Sequence, residues 1–179
     1  MHMRIALVGA IAAIMFGAVA CTGDGSDPLA LDEYLSEVER LDDAAEQEQG
    51  QLEAAFDESA GEAPESGPLS QQFKDALTTY YEELVRVGGD YINDIDDLEP
   101  PDVAQSAHEE YIEAYDEVLV ALNDIVDDID GVSTTTDLTA LLDNQALTSA
   151  YDRANEACAG LQQVATDNNV DVDFECQTS

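Results

Sequence analysis

The sequence predicts an all-α protein: an antiparallel up-down four-helix bundle with an extended C-terminal tail folded back by a disulfide. Three observations carry this expectation. Between residues 29 and 169 apolar side chains recur at steps of three and four, the repeat of a single helix face. Breaks rich in Gly and Pro divide that stretch into four segments of similar length, and short connections make successive helices antiparallel. From Val170 the repeat changes to two, through Val172, Phe174 and Cys176, as in an extended segment with one apolar face.

The first helix is expected over about residues 28 to 59. Leu31, Leu35, Val38, Leu41, Ala45, Leu52 and Phe56 form its stripe, and Asp27-Pro28 suits a cap followed by a first turn. Its middle, 42 to 51, is polar and holds Gly50, so a bend or break is expected there. The segment 61–68, with Gly61, Pro64, Gly67 and Pro68, is a turn-forming linker.

The second helix, about 69 to 98, carries Phe73, Leu77, Tyr80, Leu84, Val87, Tyr91, Ile95 and Leu98. Gly88-Gly89 within it admits a close backbone approach or a kink. Pro100-Pro101 forces a turn, with Pro101 suited to a first helical position. The third helix runs to about residue 130 on His108, Tyr111, Tyr115, Val118, Leu122, Ile125 and Ile129, and Gly131 is expected to end it in a left-handed conformation. After a polar loop, 133–136, the fourth starts near Thr136-Asp137. It carries Leu138, Leu141, Leu142, Leu147, Tyr151, Ala154, Cys158, Leu161 and Val164 before fraying around 167–169. Each helix would be ~40–45 Å long at 1.5 Å per residue.

The first residues read differently. A positively charged start through Arg4 precedes an uncharged apolar run from Ile5 to Ala20, the pattern of a secretory signal, at the lower edge of the roughly 20 residues a span needs. The run ends Ala18-Val19-Ala20-Cys21. It resembles the lipobox of bacterial lipoproteins, in which small residues precede a cysteine that is thioether-linked to diacylglycerol and becomes the mature N-terminus. Ala18 stands where Leu is commoner in that family. The resemblance implies a removable signal over residues 1–20 and a lipidated Cys21 opening a flexible tether over 21–28. An acidic helical domain then covers 29–179. It implies a chain held in the cell envelope, on the outer face of the cytoplasmic membrane or on the outer membrane. The alternative is an uncleaved N-terminal anchor helix with Cys21 incidental. The Pro100-Pro101 turn followed by His108, and the tail returning to a cysteine, loosely resemble exported helical lipoproteins of uncharacterised function. That likeness covers about half the chain and implies no activity.

Composition limits the partners. The chain has 41 Asp and Glu against 5 Lys and Arg, a formal charge of −36. Such a chain repels nucleic acid and anionic headgroups, so contact with a membrane is expected through the N-terminal lipid alone. Export places Cys158 and Cys176 in an oxidising compartment, where an even pair outside any C-x-x-C motif reads as a disulfide. Closing that loop contributes roughly 3 kcal/mol.

The remaining candidates are few. Counting outward from the Pro-Pro turn places Tyr91 opposite His108 and Tyr111, so the three side chains would either line a small ligand pocket or satisfy one another inside the core. A di-metal carboxylate bundle requires Glu-x-x-His, and Gln105 stands three before His108. Asp128-x-Asp130-Gly131, with Asp137 further on, has the look of an EF-hand loop, but Val126 occupies the first ligand position. No Ser sits in a nucleophile-turn motif. No catalytic set, metal site or cofactor is therefore expected. The expected function is a non-enzymatic, lipid-anchored interaction or ligand-binding module whose protein partner or small ligand is open. The alternative is an extracytoplasmic divalent-cation-binding lipoprotein, through weak binding by clusters such as Asp94-Asp96-Asp97-Glu99 and Asp124-Asp127-Asp128.

Overall fold

A computed structural model of the protein describes residues 28–61, 64, 66–174 and 176. The segments read as signal and lipidated cysteine, 1–20 and Cys21, lie outside the described residues, as do residues 22–27 of the tether. The described chain is helical: α1 Leu31–Ala60, α2 Gln71–Asp96, α3 Gln105–Ile129, α4 Thr135–Leu142 and α5 Gln145–Asn168. Among the described residues no helix is long and apolar enough to cross a membrane. Extended pairing there is limited to one isolated bridge, Pro68 with Thr134.

α1 packs on α2, α2 on α3 and α3 on α5, giving the up-down bundle of four long helices. The predicted stripes are its core. Leu35, Val38, Ile95, Ile125, Ile129 and Leu161 are fully enclosed. Burying each such side chain contributes about 1.5–3 kcal/mol relative to leaving it exposed.

The two ends are fastened by backbone. At the end that holds Leu29 and the α2–α3 turn, the Leu29 N–H donates to the Glu99 carbonyl (3.1 Å). At the opposite, distal end, where the α1–α2 and α3–α4 connections meet, the Leu69 N–H donates to Ser133 O, and the Thr135 N–H to Gly67 O, both at 3.0 Å. Lys74 Nζ donates to the Asp130 carbonyl (3.0 Å). Gly67, at φ +102°, gives that turn a conformation disfavoured for side chains with a Cβ.

Several local expectations are corrected. α1 starts at Leu31 rather than at Pro28, because Leu29 is engaged in an extended approach to Glu99. It runs unbroken through Gly50. Pro101 lies in a turn closed by the Ala104 N–H on its carbonyl, so α3 begins only at Gln105. Gly131 is not left-handed; Asp128 O accepts from its N–H in a tight continuation of the last turn. The fourth predicted helix is two. Thr134 and Asp137 form a capping box that starts α4, and Asn144 caps α5 by accepting from the Ala146 N–H (2.9 Å). α5 ends on Asn169 in the left-handed conformation that Asn tolerates.

The tail behaves as its alternation predicts, with Val172 and Phe174 buried and Asp171 and Asp173 exposed. Cys158 and Cys176 form a disulfide across 18 residues. Gln162 of α5 makes two bonds to the tail, from its Nε2 to Val172 O and to its Oε1 from the Phe174 N–H, each 3.0 Å. The Asp173 N–H donates to Glu39 Oε1 of α1 (3.0 Å). α1 and α5 are not among the closely packed helix pairs, and the tail ties them together.

Candidate functional site

The apolar stripe of α1 lapses after Leu41. Asp42, Glu46 and Gln49 occupy the turns that follow, with only Ala45 to fill inner space. Small and polar side chains cannot close the gap that Leu or Phe would close, and a cleft of about 300 Å³ opens there. Its walls are Leu84, Val87 and Tyr91 of α2, Tyr115, Val118 and Leu122 of α3, and Tyr151, Ala154 and Asn155 of α5. Phe174 and the Cys158–Cys176 bridge complete it. The volume is about twice the ~150 Å³ of an engineered cavity that holds benzene.

Gly88 lets α2 and α3 close beside this cleft. A Cβ there would lie 2.8 Å from Leu119 Cδ2, so the neighbour is the tip of an α3 side chain and not the backbone that the sequence led one to expect. α2 runs through Gly88-Gly89 as one continuous helix.

A tyrosine network forms the inner wall. The Tyr91 and Tyr111 hydroxyls are 2.6 Å apart, and the Tyr115 ring packs against both, with centroids 5.8 Å from Tyr91 and 4.6 Å from Tyr111. Burial pushes the hydroxyls of Tyr91, Tyr111 and Tyr115 above their ordinary range, so all three stay protonated at neutral pH. The charge of Asp42 raises Tyr91 further. Either hydroxyl of the Tyr91–Tyr111 pair can donate to the other. Tyr151 stands at the rim, 46% exposed.

The three residues singled out in the sequence divide. Tyr91 lines the cleft, whereas Tyr111 supports it from behind and His108 lies outside the lining. His108 Nδ1 is bonded to the buried Tyr34 hydroxyl (3.0 Å), with the rings edge-to-face. Burial lowers the His108 pKa, opposed in part by the Asp96 and Glu109 carboxylates. Its position matches the core reading, an imidazole satisfied by a tyrosine hydroxyl.

Asp42, Glu46, Gln49, Tyr115 and Tyr151 were not singled out from the sequence. The signal for them was the polar interruption in α1, read there as helix weakness rather than as one wall of a cavity. Tyr115 and Tyr151 stood in stripes that read as ordinary core.

Electrostatically the cleft is one-sided. Asp42 and Glu46 are in its lining, and none of the four described basic residues is. Arg40 pairs with Glu37, Arg153 with Glu117, and Arg86 with Glu83, Asp90 and Glu48, while Lys74 is held at the distal end. The EF-hand-like segment has another role, since the Asp137 carboxylate accepts from the Ser133 and Thr134 N–H groups and the Thr134 hydroxyl. Those bonds hold its pKa below the usual value. Among the described residues no group of three or more His, Cys, Asp or Glu is arranged to hold a metal ion.

A second depression, of about 360 Å³, is an open groove between α3 and α5. It is floored by Val120, Ala121, Ala146 and Ala150 and rimmed by acids. Comparison with family models, curated proteins and solved structures found no match.

Proposed function

We propose that this protein is a lipid-anchored extracytoplasmic module that binds a small ligand in the central cleft and performs no chemistry on it. The observation that carries the reading is the cleft itself: a pocket of ligand size, walled by apolar groups, with a few converging polar atoms. The tyrosines are held protonated and act as hydrogen-bond donors rather than bases. The two cysteines in the wall are bridged and offer no thiolate. The lipobox-like run ending at Cys21 supports membrane attachment, with the acidic body repelled from anionic headgroups.

Native mass spectrometry of protein extracted from its own membranes tests the binding half. A discrete bound mass is expected in the wild type and should be lost in Ala45→Trp, which fills the cleft from the half-buried α1 wall. Equal occupancy in both, or no bound mass in either, counts against the reading. The attachment half rests on Cys21→Ser, which should abolish fatty-acid labelling; labelling equal to wild type would discard it.

A further inference from the structure

We propose that the outer groove between α3 and α5 docks a basic amphipathic helix of a partner protein, its apolar ridge on Val120, Ala121, Ala146 and Ala150 and its basic residues against Glu113, Asp116 and Asp124. The surface is separate from the central cleft and stands without it. Its shape follows from register. Residues 113, 116, 117, 120, 121 and 124 advance by threes and ones, which keeps them on one face of α3. Ala146 and Ala150 lie one turn apart on α5 and form the other side. Their small side chains, with Ala121, leave the space between the helices open, and the groove holds about 360 Å³. From residue 113 to residue 124 it spans roughly 16 Å, three turns of a seated helix.

The apolar floor is left to solvent. Val120 is 63% exposed, the most of any large apolar side chain among the described residues, and Ala146 is exposed beside it. The groove is open along its length, so it encloses no small molecule, whereas a convex helix fills it. Acids bracket this floor, with Glu113 and Asp116 towards one end and Asp124 towards the other.

Charge selects the occupant. Arg153 pairs with Glu117 at the groove's edge, while Arg40, Arg86 and Lys74 are engaged elsewhere. Glu113, Asp116 and Asp124 take part in none of the ion pairs of the described residues, so a counter-charge must come from outside. A second copy would bring another −36 to the same acids, and nucleic acid is repelled alike. A helix with Leu or Phe one turn apart, and Lys or Arg one turn beyond each, matches floor and rim together.

The probe is a fluorescent, alanine-rich peptide of about sixteen residues, with two leucines one turn apart and lysines one turn beyond each. Its anisotropy is followed on adding the full-length protein in non-ionic detergent, at constant ionic strength, with protein-free micelles as the blank. Binding should saturate at one peptide per protein, at least tenfold tighter than for a peptide of the same residues shuffled off the common face. Val120→Glu should weaken it at least tenfold although it adds negative charge. Glu113→Gln with Asp116→Asn and Asp124→Asn should weaken it about tenfold. Glu33→Gln with Glu53→Gln and Glu58→Gln, exposed on α1, should leave it within twofold of wild type. Equal binding of the shuffled peptide, no loss in Val120→Glu, or equal loss in the α1 triple variant would reduce the uptake to diffuse counter-ion attraction and overturn the docking surface. Absence of saturation overturns it as well. A wild-type dimer that Val120→Glu dissolves, with no peptide bound, would make the occupant a second copy and discard the basic helix.

Discussion

The distal third of the bundle and its middle are built from the same helices with opposite interiors. Distally, Phe73, Leu77, Ile125 and Ile129 pack with Ala60, Phe56 and the leucines of α4 into a dry cluster. There the enclosed stripe positions are aliphatic or phenyl, with Tyr81 packed at the margin, and helix meets helix without a third party. In the middle, hydroxyls and carboxylates take stripe positions, a cleft remains, and a separate strap ties α1 to α5. The difference shows what an inner position asks of a residue. Volume closes a bundle; polarity at the same position holds it open and requires a hydrogen-bond partner for each buried group.

The sharpest way to break that contrast is to empty the dry cluster. Ile125→Ala, at a fully enclosed site, should cost about 2–5 kcal/mol in urea unfolding. It should leave the mass retained in the central cleft unchanged by native mass spectrometry. A joint loss of stability and binding would mean that the two regions form one cooperative interior rather than two.

Next comes the strap. Replacing Cys158 and Cys176 together by Ala should cost roughly 3 kcal/mol, by the chain-entropy argument for an 18-residue separation. Amide exchange should rise at Val172 and Phe174 while α1–α3 stay protected. Uniform loss of protection throughout would show the bridge to be part of the global core, not a local fastening.

Tyr91→Phe probes the polar interior directly. It deletes the hydroxyl bonded to Tyr111 and should cost about 1–2 kcal/mol, less than the distal truncation. A cost equal to that of Ile125→Ala would erase the distinction between volume and polarity.

The smallest effect concerns His108. Burial lowers its pKa below the ordinary 6.5, so the unfolded chain binds its proton first as pH falls. The stabilising contribution is complete above pH 6.5 and declines as pH falls through that value. Wild type minus His108→Asn stability should therefore be larger at pH 7.5 than at pH 5.5, by up to about 1 kcal/mol. Taking the difference between the two proteins cancels the carboxylates they share. An unchanged gap between the two pH values would place His108 in contact with water.

The bundle, its stripes and the returning tail were legible because their signals are periodic and summed over many residues. The alternation Val170, Val172, Phe174, Cys176 predicted the buried face of the tail, and the even pair of cysteines predicted its bridge to Cys158. What was not legible depends on single contacts. The break at Asp143-Asn144 lies within an apolar run, and it takes the Asn144 cap to separate α4 from α5. Gly131 sits where a left-handed cap belongs, yet the distal backbone bonds to Leu69 and Thr135 draw the chain onward. The cleft was half legible: Tyr91 could be placed from its register, but Asp42 and Glu46 became wall residues only once four helices and the tail surrounded them.

Residues 170–176 leave the ribosome after α1–α5 have been made, and this gives the middle of the molecule a history that the distal third lacks. The dry cluster needs nothing beyond Leu147 to be complete. The middle stays an unroofed trough until Phe174 arrives, and unlatched until Cys176 finds an oxidant. A chain stopped short of Val172 would own α1–α5 and lack the part of the wall that Phe174 and Cys176 supply. Maturation is therefore ordered along the chain, with the chamber sealed last and by a reaction that only an oxidising surrounding supplies.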